Sequence, residues 1–110
     1  MFRFKALVIS ALISLPVTAQ EDSFSSIIKR VYPQSNGTLV LTFHDDPQSC
    51  TSPSTPNYYY VKVGENGVTQ EGLNLMFSTA LAAGAAQQKV SVYFDTSTNS
   101  CFINRLSVNY

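Results

Sequence analysis

Residues 70–87, QEGLNLMFSTALAAGAAQ, form the one long segment after residue 19 that has helical periodicity. Its apolar residues recur at intervals of three and four, which places them along one side of an α-helix. These residues are Leu73, Met76, Phe77, Ala80, Leu81 and Gly84. An apolar side of this kind has to be covered, so we expect the helix to pack against the rest of the chain.

Five segments rich in β-branched and aromatic residues flank this helix, three before it and two after it. They are residues 27–32, 38–44, 57–63, 89–95 and 101–110. Residues 20–26 are polar apart from Phe24, and we expect them to form a loose lead-in. The pair Asn36-Gly37 predicts a tight hairpin between the first two strands, in which both residues have φ > 0.

The alternation of side chains predicts how two of these strands are buried. In residues 38–44, apolar and polar residues alternate, which indicates a strand buried on one side only. In residues 101–110, Ile103 is out of phase with the other apolar residues. We therefore expect a β-bulge in this last strand, or burial on both of its faces.

Residues 1–19, MFRFKALVISALISLPVTA, have the three parts of a secretory signal peptide. Arg3 and Lys5 supply the positive charge, an apolar run follows, and Val17-Thr18-Ala19 is a small-residue cleavage site. The apolar run of about ten residues is too short for the roughly 20 that span a bilayer. We expect cleavage near Ala19, a periplasmic or secreted protein, and a single domain over residues 20–110.

The charge of the mature chain argues against nucleic acid as a partner. After cleavage, five Lys and Arg residues remain against seven Asp and Glu residues, a net charge of about −2. Proteins that bind the phosphates of nucleic acids normally carry a basic excess. We therefore predict no nucleic-acid partner.

The chain has two cysteines, Cys50 and Cys101. In an exported protein the two are expected to form one disulfide. The alternatives are a metal site and a redox pair, but the sequence has no CxxC motif and His44 is its one histidine. Since a zinc site needs further ligands, we predict a disulfide, no metal and no cofactor.

The sequence offers little support for catalysis. His44, Asp45 and Asp46 combined with a serine have the residue types of a triad, but there is no G-x-S-x-G motif. His44 ends a strand on its polar side, which favours an ordinary surface histidine. We predict a protein without enzymatic activity and without catalytic residues.

Tyrosines are concentrated on the third and fourth strands, at positions 58, 59, 60 and 93. Alternation places Tyr58 and Tyr60 on one face of the third strand and Tyr59 on the other. One of these faces must be core. An outward tyrosine suits either a subunit interface or stacking on a sugar, and both roles stay open at this point.

The order of three strands, one helix and two strands is that of the OB-fold, a five-stranded Greek-key barrel. The chain also has Cys50 after strand two, a helix of the form L-x-x-M-F-S-T-A-L-A-A-x-A, a Gln-Lys-Val-Ser-Val strand and Cys101 opening strand five. This pattern, over residues 27–108, resembles the receptor-binding B subunits of AB-type bacterial toxins. Subtilase cytotoxin, typhoid toxin and pertussis toxin have such subunits, and many small exported bacterial proteins share the pattern.

The resemblance implies a mainly β protein with its helix between strands three and four. It also implies a homo-oligomer that binds cell-surface carbohydrate, with five protomers and a toxin A subunit as in the toxins. Strands three and five lie side by side in an OB barrel, so a bridge between Cys50 and Cys101 is geometrically reasonable. The alternative is a periplasmic or secreted protein-interaction module without a glycan ligand.

The resemblance also directs attention to a serine early in the mature chain, where the toxin subunits have part of their glycan site. Ser23, Ser25 and Ser26 lie in that region. Together with the tyrosines chosen from strands three and four, the predicted ligand-binding residues are Ser25, Ser26, Tyr59 and Tyr93.

Overall fold

The computed structural model of the protein describes residues 20–47 and 49–110. Its elements are β1 (Glu21–Pro33), β2 (Leu39–Phe43), β3 (Tyr59–Val61), α1 (Gln70–Ala85), β4 (Lys89–Asp95) and β5 (Ile103–Val108). The predicted signal peptide, residues 1–19, lies outside the described residues, so its cleavage stays a prediction. No helix within the described ranges is long and apolar enough to cross a membrane.

The five strands form one antiparallel sheet in the order β3-β2-β1-β4-β5. The sheet curls, so that the two end strands β3 and β5 approach each other while α1 packs on β1 and β5. The predicted architecture of five strands with one helix between the third and fourth is therefore confirmed.

The first strand is much longer than predicted, because residues 20–26 are not a loose lead-in. Residues 21–27 pair with β4, from Glu21 opposite Asp95 to Ile27 opposite Lys89. The second half of β1 pairs with β2. Between Ile28 and Arg30 the register shifts by one residue, which is a β-bulge that bends the strand where it changes partner.

The core fills the inside of the curled sheet, and β2 is buried more deeply than predicted. All five residues of β2 are buried, including Val40 and Thr42 on the side that faces away from the core. The expectation of a half-buried strand was wrong because an aromatic side chain of β1 meets that of the residue before β3 over this outer side. Tyr32 and Tyr58, whose ring centroids are 5.8 Å apart, make that contact across β2.

The helix begins as the sequence predicts, but its buried side is rotated. Thr69 caps it by accepting a hydrogen bond from the Gly72 N–H at 3.0 Å. Leu73, Ala80 and Ala83 are its buried residues, whereas Leu81, which we expected to be buried, is 48% exposed. The buried positions follow intervals of seven and three, a stripe that turns Leu81 away from the sheet.

The helix ends at Ala85, two residues earlier than predicted, because Gln87 adopts a left-handed conformation with φ of 55°. The N–H groups of Gln87 and Gln88 donate to the carbonyls of Gly84 and Ala83, at 3.2 and 3.0 Å. This is the Schellman arrangement, which satisfies the last carbonyls of the helix.

Two local predictions about the strands are confirmed, one of them with a different turn. The chain reverses between β1 and β2, but only Gly37 has φ > 0, at 84°. The Gly37 N–H donates to the Gln34 carbonyl at 3.0 Å, so the left-handed glycine is the last residue of a four-residue turn. In β5 the register shifts at Asn104, and this bulge lets Ile103 and Leu106 both face the core.

Cys50 and Cys101 form the predicted disulfide, with their Cα atoms 5.9 Å apart. Cys50 lies in the loop before β3, and Cys101 precedes β5. The bond therefore joins the chain at the two end strands of the sheet, β3 and β5, which form no ladder with each other among the described residues.

We expect the double substitution Cys50→Ala, Cys101→Ala to lower the free energy of unfolding by about 4 kcal/mol, because the bond closes a loop of about 50 residues in the unfolded chain. Urea denaturation of the oxidised protein, the reduced protein and the variant measures this difference. The reduced wild type is the matched control and should resemble the variant. A loss below about 1 kcal/mol would show that the sheet ends hold together without the bond.

Candidate functional site

Polar side chains cover the outside of the sheet in two places, where the first half of β1 pairs with β4 and where β4 pairs with β5. Side chains alternate across a strand, and Phe24, Val92 and Leu106 point into the core here. Their neighbours point outward. We give the name polar face to the outward residues Ser25, Ser91, Tyr93, Arg105 and Asn109.

Hydrogen bonds connect three of these side chains into one row. The Oγ atoms of Ser25 and Ser91 are 2.9 Å apart, and Asn109 donates from Nδ2 to the same Ser91 Oγ at 3.0 Å. Ser25 and Asn109, at the two ends of the row, are exposed to solvent. The row therefore holds its polar atoms in place while leaving both ends accessible to a ligand.

Arg105 and Tyr93 form the second part of the polar face. The guanidinium carbon of Arg105 lies 3.9 Å from the centroid of the Tyr93 ring, and Arg105 Nη2 is 3.5 Å from Glu21 Oε1. The stacking attraction is worth about 0.5–1 kcal/mol at an exposed site, and an exposed ion pair adds little. With its side chain 62% exposed, Arg105 is held over the ring and can still donate to an arriving acceptor.

The chemistry of the polar face is that of hydrogen bonding on a flat, open surface. It offers hydroxyl groups that both donate and accept, an amide, and a guanidinium that only donates. An aromatic ring lies among them. Such a set suits a ligand with several hydroxyl groups and apolar C–H faces, which describes a sugar.

The structure brings together two of the four predicted ligand-binding residues and separates the other two from them. Ser25 pairs with Ser91 and Ser23 pairs with Tyr93, so Ser25 and Tyr93 are diagonal neighbours on adjacent strands. Ser26 and Tyr59 are both fully buried, with 0% of each residue exposed. Neither of these two can contact a ligand on the surface as the chain is folded here.

Ser26 and Tyr59 instead have structural roles. Ser26 Oγ accepts a hydrogen bond from the Asp45 N–H at 2.9 Å, which ties the start of the long loop to β1. Tyr59 packs among the core rings of Phe24, Phe43 and Phe94, with centroids 5.2, 5.3 and 5.1 Å away.

The hydroxyl of Tyr59 donates to Asp46 Oδ1 at 2.7 Å, inside the fold. Burial, together with this hydrogen bond to a carboxylate, raises the pKa of the Tyr59 phenol well above its usual range. Asp46 also accepts bonds from the backbone and side-chain nitrogens of Asn57. This carboxylate therefore organises the loop before β3.

Sequence reasoning missed Ser91, Arg105 and Asn109. Alternation along residues 89–95 places Ser91 and Tyr93 on one side of the strand and Val90, Val92 and Phe94 on the other, so part of the signal is present in the sequence. The sequence does not predict that β1 pairs with β4, because the polar residues 20–26 are expected to form a loose lead-in. Without that pairing, nothing in the sequence places Ser25 beside Ser91 or Glu21 beside Arg105.

The predicted surface histidine is confirmed, since His44 is exposed at the end of β2. Asp46, two residues after His44, accepts hydrogen bonds from Tyr59 and Asn57, as described above. Within residues 20–47 and 49–110, no three His, Cys, Asp or Glu side chains are close enough to hold a metal ion.

Comparison with solved structures identifies the fold. No protein-family model matches the sequence, and no curated protein sequence matches it. Human heat-labile enterotoxin, solved with a blood group A antigen analogue, superposes with a TM-score of 0.60 at 10% identity, covering 82% of this chain and 86% of that one. The cholera toxin-like B subunit of Citrobacter freundii gives 0.60 at 15% identity, covering 82% and 85%.

A third similar structure is the porcine Escherichia coli heat-labile enterotoxin B-pentamer in complex with lacto-N-neohexaose, with a TM-score of 0.59, 12% identity, and 83% and 85% coverage. At such low identity these likenesses show the fold alone. They confirm the predicted OB-fold, and with it the resemblance of this chain to toxin B subunits in its fold.

Substitution of the two neighbouring serines, Ser25 and Ser26, should lower the free energy of unfolding by different amounts. Ser26→Ala removes the buried hydroxyl that accepts the Asp45 N–H and should lower the free energy of unfolding by about 0.5–1.5 kcal/mol. Ser25→Ala, the matched control on the exposed side, should change it by less than about 0.5 kcal/mol. Urea denaturation at neutral pH measures both, and equal effects would contradict the assignment of Ser26 to the fold.

The raised pKa of Tyr59 predicts a pH-dependent contribution to stability. The folded state keeps this phenol protonated, so its contribution is complete below the unfolded pKa of about 10 and is lost as pH rises through the higher folded value. Above pH 10 the wild type should lose stability relative to Tyr59→Phe by about 1.4 kcal/mol per pH unit. Denaturation from pH 8 to 11 tests this, and parallel curves would refute it.

Proposed function

We propose that the protein is an exported, non-enzymatic binding subunit that recognises cell-surface carbohydrate as a homo-oligomer. The observation that carries this proposal is the polar face. Its hydroxyl row and its stacked Arg105–Tyr93 pair have the composition of a sugar-binding surface on a fold that similar proteins use for this purpose.

The similar structures support a carbohydrate as the ligand. One is described as lactose binding to heat-labile enterotoxin, and another as the GM1-bound form of the ECX AB5 holotoxin. Their TM-scores are 0.59 and 0.57, at 11% and 14% identity. We transfer the ligand class to this chain as part of the proposal, and the exact sugar stays open.

The helix supports self-association. Glu71 is the one charged residue in α1, so the outward side of the helix is uncharged beyond its first turn. Leu75 is 70% exposed and Leu81 is 48% exposed on that side. Exposed aliphatic residues without charge are typical of a surface that a second subunit covers. A ring of five, as in the enterotoxin B-pentamer, is the assembly we propose.

Export and a partner subunit complete the proposal. The disulfide between Cys50 and Cys101 fits an oxidising compartment, which agrees with the signal peptide predicted for residues 1–19. The AB5 holotoxin among the similar structures suggests a toxin A subunit as a further partner.

A second candidate function is a periplasmic or secreted protein-interaction module without a glycan ligand. The same exposed Leu75 and Leu81 favour it, because a different protein could cover them equally well. The two candidates differ in the role of the polar face, which the second leaves without a ligand.

We expect the oxidised mature protein to have a native mass near five protomers and to bind on a glycan array. Arg105→Gln should weaken this binding by about tenfold or more, because it removes hydrogen bonds from a charged donor. Lys29→Gln removes an equal charge away from the polar face and is the matched control.

Leu75→Glu should lower the native mass measured by light scattering, because it places a charge on the exposed side of α1 that we propose a second subunit covers.

Two outcomes would decide against this function. A protein that binds no glycan while keeping its oligomeric mass would favour the protein-interaction module. A monomer without glycan binding would leave the OB-fold as a structural likeness only.

A further inference from the structure

The Asn36-Gly37 pair, at the tip of the hairpin between β1 and β2, carries a reactive side chain that neither the core nor the polar face uses. Two of the seven asparagines precede a glycine, and the other pair is Asn66-Gly67. An asparagine amide in this position is open to attack by the next backbone nitrogen, because glycine has no side chain to shield that nitrogen. A Cβ atom added at either glycine would meet no atom within 4 Å, so the space around both pairs is open.

The side chain of Asn36 is folded back over its own backbone. Its Oδ1 accepts a hydrogen bond from the Thr38 N–H at 3.0 Å. This bond closes a ring around the Gly37 peptide and so keeps Asn36 Cγ near the Gly37 nitrogen. It also polarises the Cγ carbonyl, and it is placed to stabilise the negative charge that develops on Oδ1 when a nucleophile adds to Cγ.

One local bond stands against this attack. The Gly37 N–H donates to the Gln34 carbonyl at 3.0 Å, and that bond has to open before the nitrogen can lose its proton. Residues 34–37 are exposed and form the tip of a hairpin, where opening involves only a few neighbouring residues. The barrier that the fold adds at Asn36 is therefore the fraying of one exposed turn.

Asn66 is restrained instead by a contact with a distant part of the chain. Its Nδ2 donates to the Phe102 carbonyl at 2.8 Å, across 36 residues of sequence. Phe102 follows the disulfide-bonded Cys101, which is fully buried. The bond directs the Asn66 amide toward the residue before β5, and it holds the nitrogen that would have to leave. The Gly67 N–H donates no backbone bond among the described residues, but the amide it would attack is turned away.

The surroundings of Asn36 admit water, which is the second reactant. Asn36 lies on the rim of an open cleft whose other side is formed by Lys62, Val63 and Gln70. All four residues are exposed. Solvent therefore reaches the Asn36 side chain without any movement of the sheet.

We propose that Asn36 is a site of spontaneous deamidation. The Gly37 nitrogen loses its proton to hydroxide and attacks Asn36 Cγ. The new N–Cγ bond closes a succinimide ring, and the Cγ–Nδ2 bond breaks with release of ammonia. Water then opens the ring at one of its two carbonyls, which leaves aspartate or isoaspartate at position 36. No group is oxidised or reduced, and water is the one co-reactant consumed.

Either product adds a carboxylate to the hairpin tip and lowers the net charge by one. Aspartate keeps an oxygen acceptor for the Thr38 N–H, whereas isoaspartate lengthens the backbone by one methylene group and disturbs the turn. The polar face takes its β1 residue from the other half of that strand, so it stays unaltered. The protein therefore acquires charge with time at a place remote from the proposed binding surface, whether or not it binds a sugar.

Incubation of the oxidised mature protein at mildly alkaline pH in water labelled with heavy oxygen, followed by peptide mapping with mass spectrometry, tests the proposal. We expect residue 36 to convert about tenfold or more faster than residue 66 in the folded protein, since only Asn66 is held by a distant segment. In guanidinium chloride the two rates should become similar, because the fold no longer separates them. Each converted peptide should carry one labelled oxygen and separate into an aspartate and an isoaspartate form.

Asn36→Gln is the matched control, because its longer side chain has to close a larger ring, and Asn36→Asp is the standard for the charge of one product. The folded Asn36→Gln variant should lose the acidic form that the wild type accumulates on anion exchange. Equal or faster conversion at residue 66 in the folded protein would overturn the proposal. Conversion at residue 36 that occurs only in guanidinium chloride would also overturn it, since the bond between Gln34 and Gly37 would then protect the site.

Discussion

The structure depends on the double pairing of β1. One strand supplies hydrogen-bond partners to β4 with its first half and to β2 with its second half, and the bulge at Lys29 bends it between the two. Because β1 lies in the middle of the strand order, every other strand is held to it directly or through one neighbour. This single bent strand also determines the two outer surfaces. The polar face forms on the side of β4, and the outward tyrosines Tyr32, Tyr58 and Tyr60 lie on the side of β2.

Much of the fold could be predicted from the sequence, because strand alternation and helical periodicity are local properties. The fourth strand and the start of the helix at Gln70 were both predicted with the bounds that the structure shows. The first half of β1 could not be predicted, since residues 20–26 are polar and owe their strand conformation to pairing with β4. The exposure of Leu81 likewise depends on how the helix packs rather than on its own sequence.

The candidate site was less predictable than the fold, for a related physical reason. A ligand surface on a sheet is made from residues of several strands, and its composition depends on register. The chemistry of Tyr59 and Tyr93 is the same in the sequence, yet alternation places one in the core with its hydroxyl on Asp46 and leaves the other under Arg105. The sequence alone does not show which face of the third strand packs into the core. Tyr58 and Tyr60, on the other face of this strand, are partly exposed.

The disulfide has a consequence for how the chain responds to proteolysis. The helix, β3 and β4 all lie between Cys50 and Cys101, in the covalent loop that this bond closes. A protease that cuts the exposed turn at Gly64 or Glu65 would therefore leave two fragments that remain one molecule. The pairing of β1 with β4 would still hold the two fragments together. Only a reducing environment, such as the interior of a cell, would allow such a nicked protein to come apart.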